Sequence, residues 1–147
     1  MSRIALEMKP ENFQPALTGK HRKAVETRAI RYPNRWAPSA SERHQQFKDW
    51  RYVAMQVLNK RGGSFRIIAI LEEVFDFDAC ECWETNEEFA LAGGHCTTKT
   101  VSRELGVLKG FGLITAEPGW IEKSGKMTKG RRIRLSVPSD LSGIHVR

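Results

Sequence analysis

The sequence predicts an α+β chain, mainly helical, with a small antiparallel β hairpin near its end. Three observations carry this. Apolar residues recur at helical spacing between residues 42 and 109, capping residues divide that stretch into separate helices, and the alternation turns strand-like after Gly112. A length of 147 residues with 40% hydrophobic content suits one compact domain with chain left over for an arm or tail.

Residues 1–40 carry Pro10, Pro15, Pro33 and Pro38, with Arg22, Lys23, Arg28, Arg31 and Arg35 between them and little apolar periodicity, which reads as an extended basic arm ordered only in a complex. Arg28, Arg31 and Arg35 alternate with Tyr32 and Trp36, a pattern suited to lying along phosphates or entering a minor groove; the alternative is that Tyr32 and Trp36 pin the arm onto the core. Ser39-Ala40-Ser41-Glu42 has the form of a capping box, and Phe47, Trp50, Ala54, Val57 and Leu58 follow at helical spacing. These predict an amphipathic helix over about 42–60, within a segment 41–61.

Gly62-Gly63 ends that helix, and Ser64 is expected to cap the next, with Phe65, Ile68, Leu71, Val74 and Phe75 on one face. A short strand is expected within Cys80–Glu84. Thr85-Asn86-Glu87-Glu88 is a second capping box, opening a helix that Gly93-Gly94 stops. Thr97 to Lys109 is the next helix. At 100° per residue Val101, Leu105 and Leu108 fall on one side, and Lys99, Ser102, Arg103 and Gly106 on the other. A close backbone approach or a tolerated defect would account for Gly106. After Gly110-Phe111-Gly112, the residues Leu113–Glu117 form one strand and Arg131–Val137 the other. Ile133, Leu135 and Val137 point inward, Arg132, Arg134 and Ser136 outward, and a cationic tip holds Lys123, Lys126 and Lys129. Residues 138–147 are read as a tail.

Charge is segregated along the chain. Residues 1–61 have 13 Lys/Arg against 5 Asp/Glu, residues 62–117 have 4 against 10, and residues 118–147 have 7 against 2. The net charge of +7 therefore resides in the flanks, where a polyanion would be held; the alternative is that these blocks are solvated faces. No apolar stretch exceeds Ile67–Leu71, too short to span a bilayer, and a cytoplasmic, nucleoid-associated location is expected.

Thr100-Val101-Ser102-Arg103-Glu104-Leu105, followed by Leu108 and Gly112-Leu113-Ile114, resembles the recognition helix and the start of the wing in bacterial winged helix-turn-helix proteins. The likeness covers roughly Ser64 to Val137. It extends to MarR-type regulators and to the DNA-binding domains of phage and plasmid replication initiators. The turn from Gly93 to Thr97 is about one residue longer than the usual tight version. The resemblance implies a winged helix-turn-helix over 62–137, preceded by the amphipathic helix and the basic arm.

Cys80, Cys82, His95 and Cys96 could supply soft ligands, but their spacing is not that of a structural zinc site, and neither metal nor cofactor is expected. Gly119 to Met127 fails as a phosphate-binding loop, because five residues separate Gly119 from Gly125 and Met127 stands where a Ser or Thr is required. No nucleophile or paired-carboxylate arrangement suggests an enzyme.

The expected function is binding of double-stranded DNA, by a transcriptional regulator or replication accessory protein. Lys99 and Arg103 are the candidates for base edges, with Ser102 beside them and Thr97 and Thr98 at the helix start for a phosphate. Lys123, Lys126, Lys129, Arg132 and Arg134 of the wing, and Arg28, Arg31 and Arg35 of the arm, would meet the backbone. A homodimer through helix 42–60, with Phe47, Trp50 and Val57 in contact, would double the site. The rival expectation is a protein-interaction module for an acidic partner.

Overall fold

The computed structural model describes residues 28–147. The expectations for Pro10, Pro15, Arg22 and Lys23 lie outside the described residues. The elements are β1 (Ala29–Arg31), α1 (Ala40–Arg61), α2 (Arg66–Val74), α3 (Asn86–Ala92), α4 (Thr98–Gly110), β2 (Ile114–Lys123) and β3 (Lys126–Pro138). They give a mixed α+β architecture of four helices and a small antiparallel sheet in the order β1-β3-β2.

The 22-residue helix α1 starts where Ser39, in extended conformation, accepts a hydrogen bond from Glu42 N. The Ser39 hydroxyl donates to the Glu42 carboxylate at 2.9 Å in place of the reciprocal backbone contact of a full capping box. Phe47, Trp50, Val53, Ala54, Val57 and Leu58 are all buried in the protein's own core. The expectation that Phe47, Trp50 and Val57 contact a second copy is therefore corrected: their face is already covered by α2, the sheet and the aromatic residues Phe75 and Phe77. One hydrophobic core contains residues from both 41–61 and 62–137.

Helix α2 begins at Arg66, later than Ser64 suggests. Ser64 Oγ accepts from Arg66 N at 3.2 Å, while Phe65 occupies the cap position without a side-chain bond and stays 44% exposed instead of joining Ile67, Ile68, Ile70 and Leu71 inside. Glu72 on α2 receives Arg51 Nη1 and faces His44 Nε2, each at 2.7 Å, which brackets α1 to α2. The full capping box at Thr85 is present as the sequence predicts.

The expected strand over 80–84 shrinks to single antiparallel bridges, Asp76 with Glu81 and Cys82 with Ile133. A positive φ at Cys80 (62°) turns the chain just before it, and α3 starts at Asn86, so only a short extended piece fits. Cys82 exchanges both backbone hydrogen bonds with Ile133, at 2.9 and 2.8 Å. It thus lies on the edge of β3 opposite β2.

Trp50 ties α1 to the sheet. Its ring is fully buried, and Nε1 donates to Leu113 O at 3.0 Å and to Ser136 O at 2.8 Å. Ser136, expected outward, is buried as well: its hydroxyl donates to Gly112 O at 2.7 Å and its N–H to Leu113 O at 3.0 Å. Here the turn between α4 and β2 folds over β3 and covers the second face of the strand.

Residues 28–39 are not held in reserve for a complex. Ala29, Ile30 and Arg31 pair with Pro138, Val137 and Ser136, Tyr32 N donates to Leu135 O, and Tyr32 and Trp36 pack against the core. The expectation of an arm ordered only on binding is thus corrected over these residues. The C-terminal segment is also anchored: Leu141 and Ile144 pack on the core, the Gln56 side chain bonds both His145 N and O, and the Arg147 guanidinium lies 4.3 Å from the Tyr52 ring centroid.

The hairpin is longer than the sequence suggests. Ten residue pairs run in unbroken register from Ile114↔Leu135 to Lys123↔Lys126, and only Ser124 and Gly125, both at positive φ, form the turn. Gly119 and Gly130 face each other across the strands, and the Trp83 ring covers both: a Cβ at Gly119 would lie 2.9 Å from Trp83 Cη2, and one at Gly130 3.3 Å from Cε3. Gly119→Ala should therefore cost about 1–2 kcal/mol despite the better strand propensity of Ala, because the ring has to shift. Urea unfolding and the near-ultraviolet signal of the tryptophans would register it; an unchanged midpoint would mean that the ring is not packed there.

Candidate functional site

Helix α4 sets the site. Thr97 caps it, accepting from Thr100 N at 3.1 Å and donating to Thr100 Oγ1 at 3.0 Å. The hydroxyl expected to meet a phosphate is engaged in that cap. Val101, Leu105 and Leu108 are buried, while Thr98, Lys99, Ser102 and Arg103 are exposed, which agrees with the angular reading of the sequence.

Glu104, which sequence reasoning does not single out, is buried and holds α4 against α2: Arg66 Nη2 reaches its Oε2 at 2.7 Å and Nε its Oε1 at 3.4 Å. A signal exists, since Glu104 falls within about 60° of Val101 on the helical wheel. Arg103 Nη2 lies 3.8 Å from the same carboxylate but keeps 62% of its side chain exposed. Gly106 has no neighbour within 4 Å of an added Cβ, so close backbone approach does not explain it.

Between α4, the start of α3 and the middle of the hairpin runs an open groove of about 910 Å³. Thr98, Lys99, Ser102 and Arg103 line one wall, Lys129, Gly130 and Arg131 the other, and the segment Trp83–Glu87 closes one end. Four cations, Lys99, Arg103, Lys129 and Arg131, face two carboxylates, Glu84 and Glu87. The groove is thus a basic feature next to acidic helices.

Arg131 is the second residue here that sequence reasoning misses. Its guanidinium donates to Asn86 Oδ1 at 2.7 Å and to Glu84 O at 2.8 Å, lies 5.7 Å from the Phe89 ring centroid, and leaves a buried Nε with no hydrogen-bond partner. Burial lowers its pKa, because its hydrogen-bonding partners are neutral and do not offset the lost hydration. A cation held in this way attracts an anion entering from the open side.

The remaining candidates are divided between two faces. Strand alternation puts Arg132 and Arg134 on the face of β3 opposite Lys129 and Arg131. Arg132 pairs with Glu117 at 2.9 Å, a contact that holds the Glu117 carboxyl below its ordinary pKa, and Arg134 lies 3.8 Å from Glu81. Arg31 and Arg35 line a separate hollow of about 380 Å³ with Arg134 and Glu81, and Arg28 is exposed at the sheet edge. Lys123 and Lys126 flank the hairpin turn, with Lys123 Nζ 3.7 Å from Glu88. The structure therefore brings Thr98, Lys99, Ser102, Arg103 and Lys129 together, and keeps Arg28, Arg31, Arg35, Arg132 and Arg134 apart from them.

Cys80, Cys82 and Cys96 are free thiols. Burial pushes the Cys82 thiol up to about 11, and it packs as an apolar group. Among the described residues no three His, Cys, Asp or Glu side chains gather as a metal site requires, and no helix is long and apolar enough to cross a membrane. Comparison of the chain with family models, curated proteins and solved structures returned no match.

Proposed function

We propose that this chain is a winged helix-turn-helix protein that binds double-stranded DNA, as a transcriptional regulator or replication accessory protein. The fold reading is supported by the order of parts. Helix α2, the Cys82 bridge to β3, the pair α3 and α4, and then the long hairpin follow one another as in a winged helix. The observation that carries the function is the basic groove. It joins the exposed face of a 13-residue helix to a cationic hairpin, and a duplex presents a major groove wide enough for the one and a phosphate backbone for the other.

In this reading Lys99 and Arg103 reach base edges. The free backbone N–H groups at the start of α4, with Thr98, Lys129 and Arg131, receive phosphates, and Lys123 and Lys126 meet the backbone farther along. Glu84 and Glu87 repel a misplaced phosphate and so favour one seating of the duplex. The exposed ion pair of Lys123 with Glu88 contributes little and yields readily to a phosphate.

Fluorescence anisotropy with a labelled mixed-sequence duplex tests the proposal. With about four cations on phosphates, the slope of log K against log salt should be about −3 to −4, roughly a 100-fold loss of affinity between 50 and 200 mM salt. Absence of binding at the lowest salt, together with retention on an acidic polypeptide, would favour the interaction-module reading instead.

A further inference from the structure

Two large apolar side chains remain outside the core on the hairpin itself: Trp120 is 63% and Met127 64% exposed. In the register of β2 with β3, Trp120 stands opposite Lys129 and Glu122 opposite Met127, so the indole and the thioether are diagonal neighbours on one face. Alternation makes it the face of Lys129 and Arg131, which line the basic groove. Lys129 shares the face, and Lys123 and Lys126 close the turn just beyond it.

On that face Lys129 stands opposite Trp120 and the single carboxylate Glu122 opposite Met127, with Lys123 and Lys126 flanking the turn, so cations outnumber the carboxylate around an apolar pair of the kind that suits the interior of a nucleic-acid groove rimmed by phosphates. Register puts Trp120 beside Lys129 in the wall of the groove and Met127 two residues farther along the strand, about 7 Å, so the pair leads from the α4 contact toward the hairpin turn. We propose, on the footing of the duplex-binding reading above, that Trp120 and Met127 form an apolar wedge that enters the minor groove beside the α4 contact and partly unstacks a base step. Lys123, Lys126 and Lys129 hold the flanking phosphates. The chain would then distort the duplex on binding, and stacking of the opened bases on the indole face would offset the work of unstacking them.

The wedge has a measurable consequence: a duplex with a step already unstacked should bind more tightly. Two probes of about 30 base pairs, one fully paired and one with a central mismatch, are competed for the full-length protein, with the expectation of roughly tenfold preference for the mismatched probe. Trp120→Ala should erase the preference for the mismatched probe, and Trp120→Phe, which retains a stacking ring, should restore most of it. The exposure of Trp120 lets these variants fold, and circular dichroism verifies that they have. Equal affinity of the parent for both probes, or a preference that survives Trp120→Ala, would overturn the wedge alone. Failure of the parent to bind either probe would overturn the duplex reading beneath it.

Discussion

Trp50→Ala should remove about 3–5 kcal/mol of unfolding free energy, a large share of the roughly 5–15 kcal/mol available to a domain of this kind. The ring is fully buried beside Phe47, with ring centroids 5.2 Å apart, and its single N–H is shared between Leu113 O and Ser136 O. Truncation leaves a cavity where α1 meets the sheet, and it strips a donor from two carbonyls. Leu113 O retains Ser136 N as a donor, so the heavier loss falls on Ser136 O. Trp50→Phe separates the two contributions: it keeps most of the apolar volume, and its cost of about 1–3 kcal/mol measures the lost hydrogen bonding. Urea unfolding followed by far-ultraviolet circular dichroism reads both variants. A loss below about 1 kcal/mol for the alanine variant would mean that Trp50 does not organise this core. Sedimentation adds a second reading, because a folded but dissociated alanine variant would return Trp50 to the dimer seam that the packing argues against.

Trp50 also marks what periodicity can and cannot reveal. Phe47, Trp50 and Val57 recur at helical spacing, and the spacing correctly announces a buried face. It does not say what covers the face, because the covering residues, such as Leu113 and Ser136, lie 63 and 86 positions away. Ser136 fails for a related reason. Alternation assumes that one face of the strand stays open, and at Ser136 the turn after α4 covers that face. The full length of the hairpin is hidden because Gly119 and Gly130 look like loop composition until Trp83 is seen lying across them. Edge pairing of Ala29–Arg31 leaves no periodic trace in so short a strand.

The site is legible where it rests on a helix. Thr98, Lys99, Ser102 and Arg103 follow from the 3.6-residue repeat once Val101, Leu105 and Leu108 are assigned inward. Arg131 and Glu104 escape because a charged residue is read by default as surface, although each is held by partners from another element: Arg131 by Asn86 and Glu84, Glu104 by Arg66. The number of cations in the hairpin is a weaker guide than their parity along the strand. Lys129 and Arg131 share the groove face, whereas Arg132 and Arg134 occupy the opposite one beside Glu117 and Glu81.

That division yields the largest expected effect on binding. On a duplex selected from a random pool, Arg103→Glu should weaken affinity by about 100-fold or more, whereas Arg132→Ala and Arg134→Ala should each change it by less than about threefold. The guanidinium of Arg103 is free to reach outward because Glu104, only 3.8 Å from it, is already engaged by Arg66 at 2.7 Å. A bidentate contact to guanine contributes about 1–3 kcal/mol of discrimination, and a carboxylate at the same position adds repulsion from the phosphates. Arg103→Ala removes only the first part, so it should narrow the gap between the selected duplex and bulk DNA while leaving the salt slope nearly intact. Lys126→Ala should do the reverse, weakening all duplexes alike and lowering the slope by about 1. If Arg134→Ala proved as damaging as Arg103→Glu, the contact surface would have to be moved from the α4 groove to the outer face of the sheet, where Arg31 and Arg35 share a hollow with Arg134.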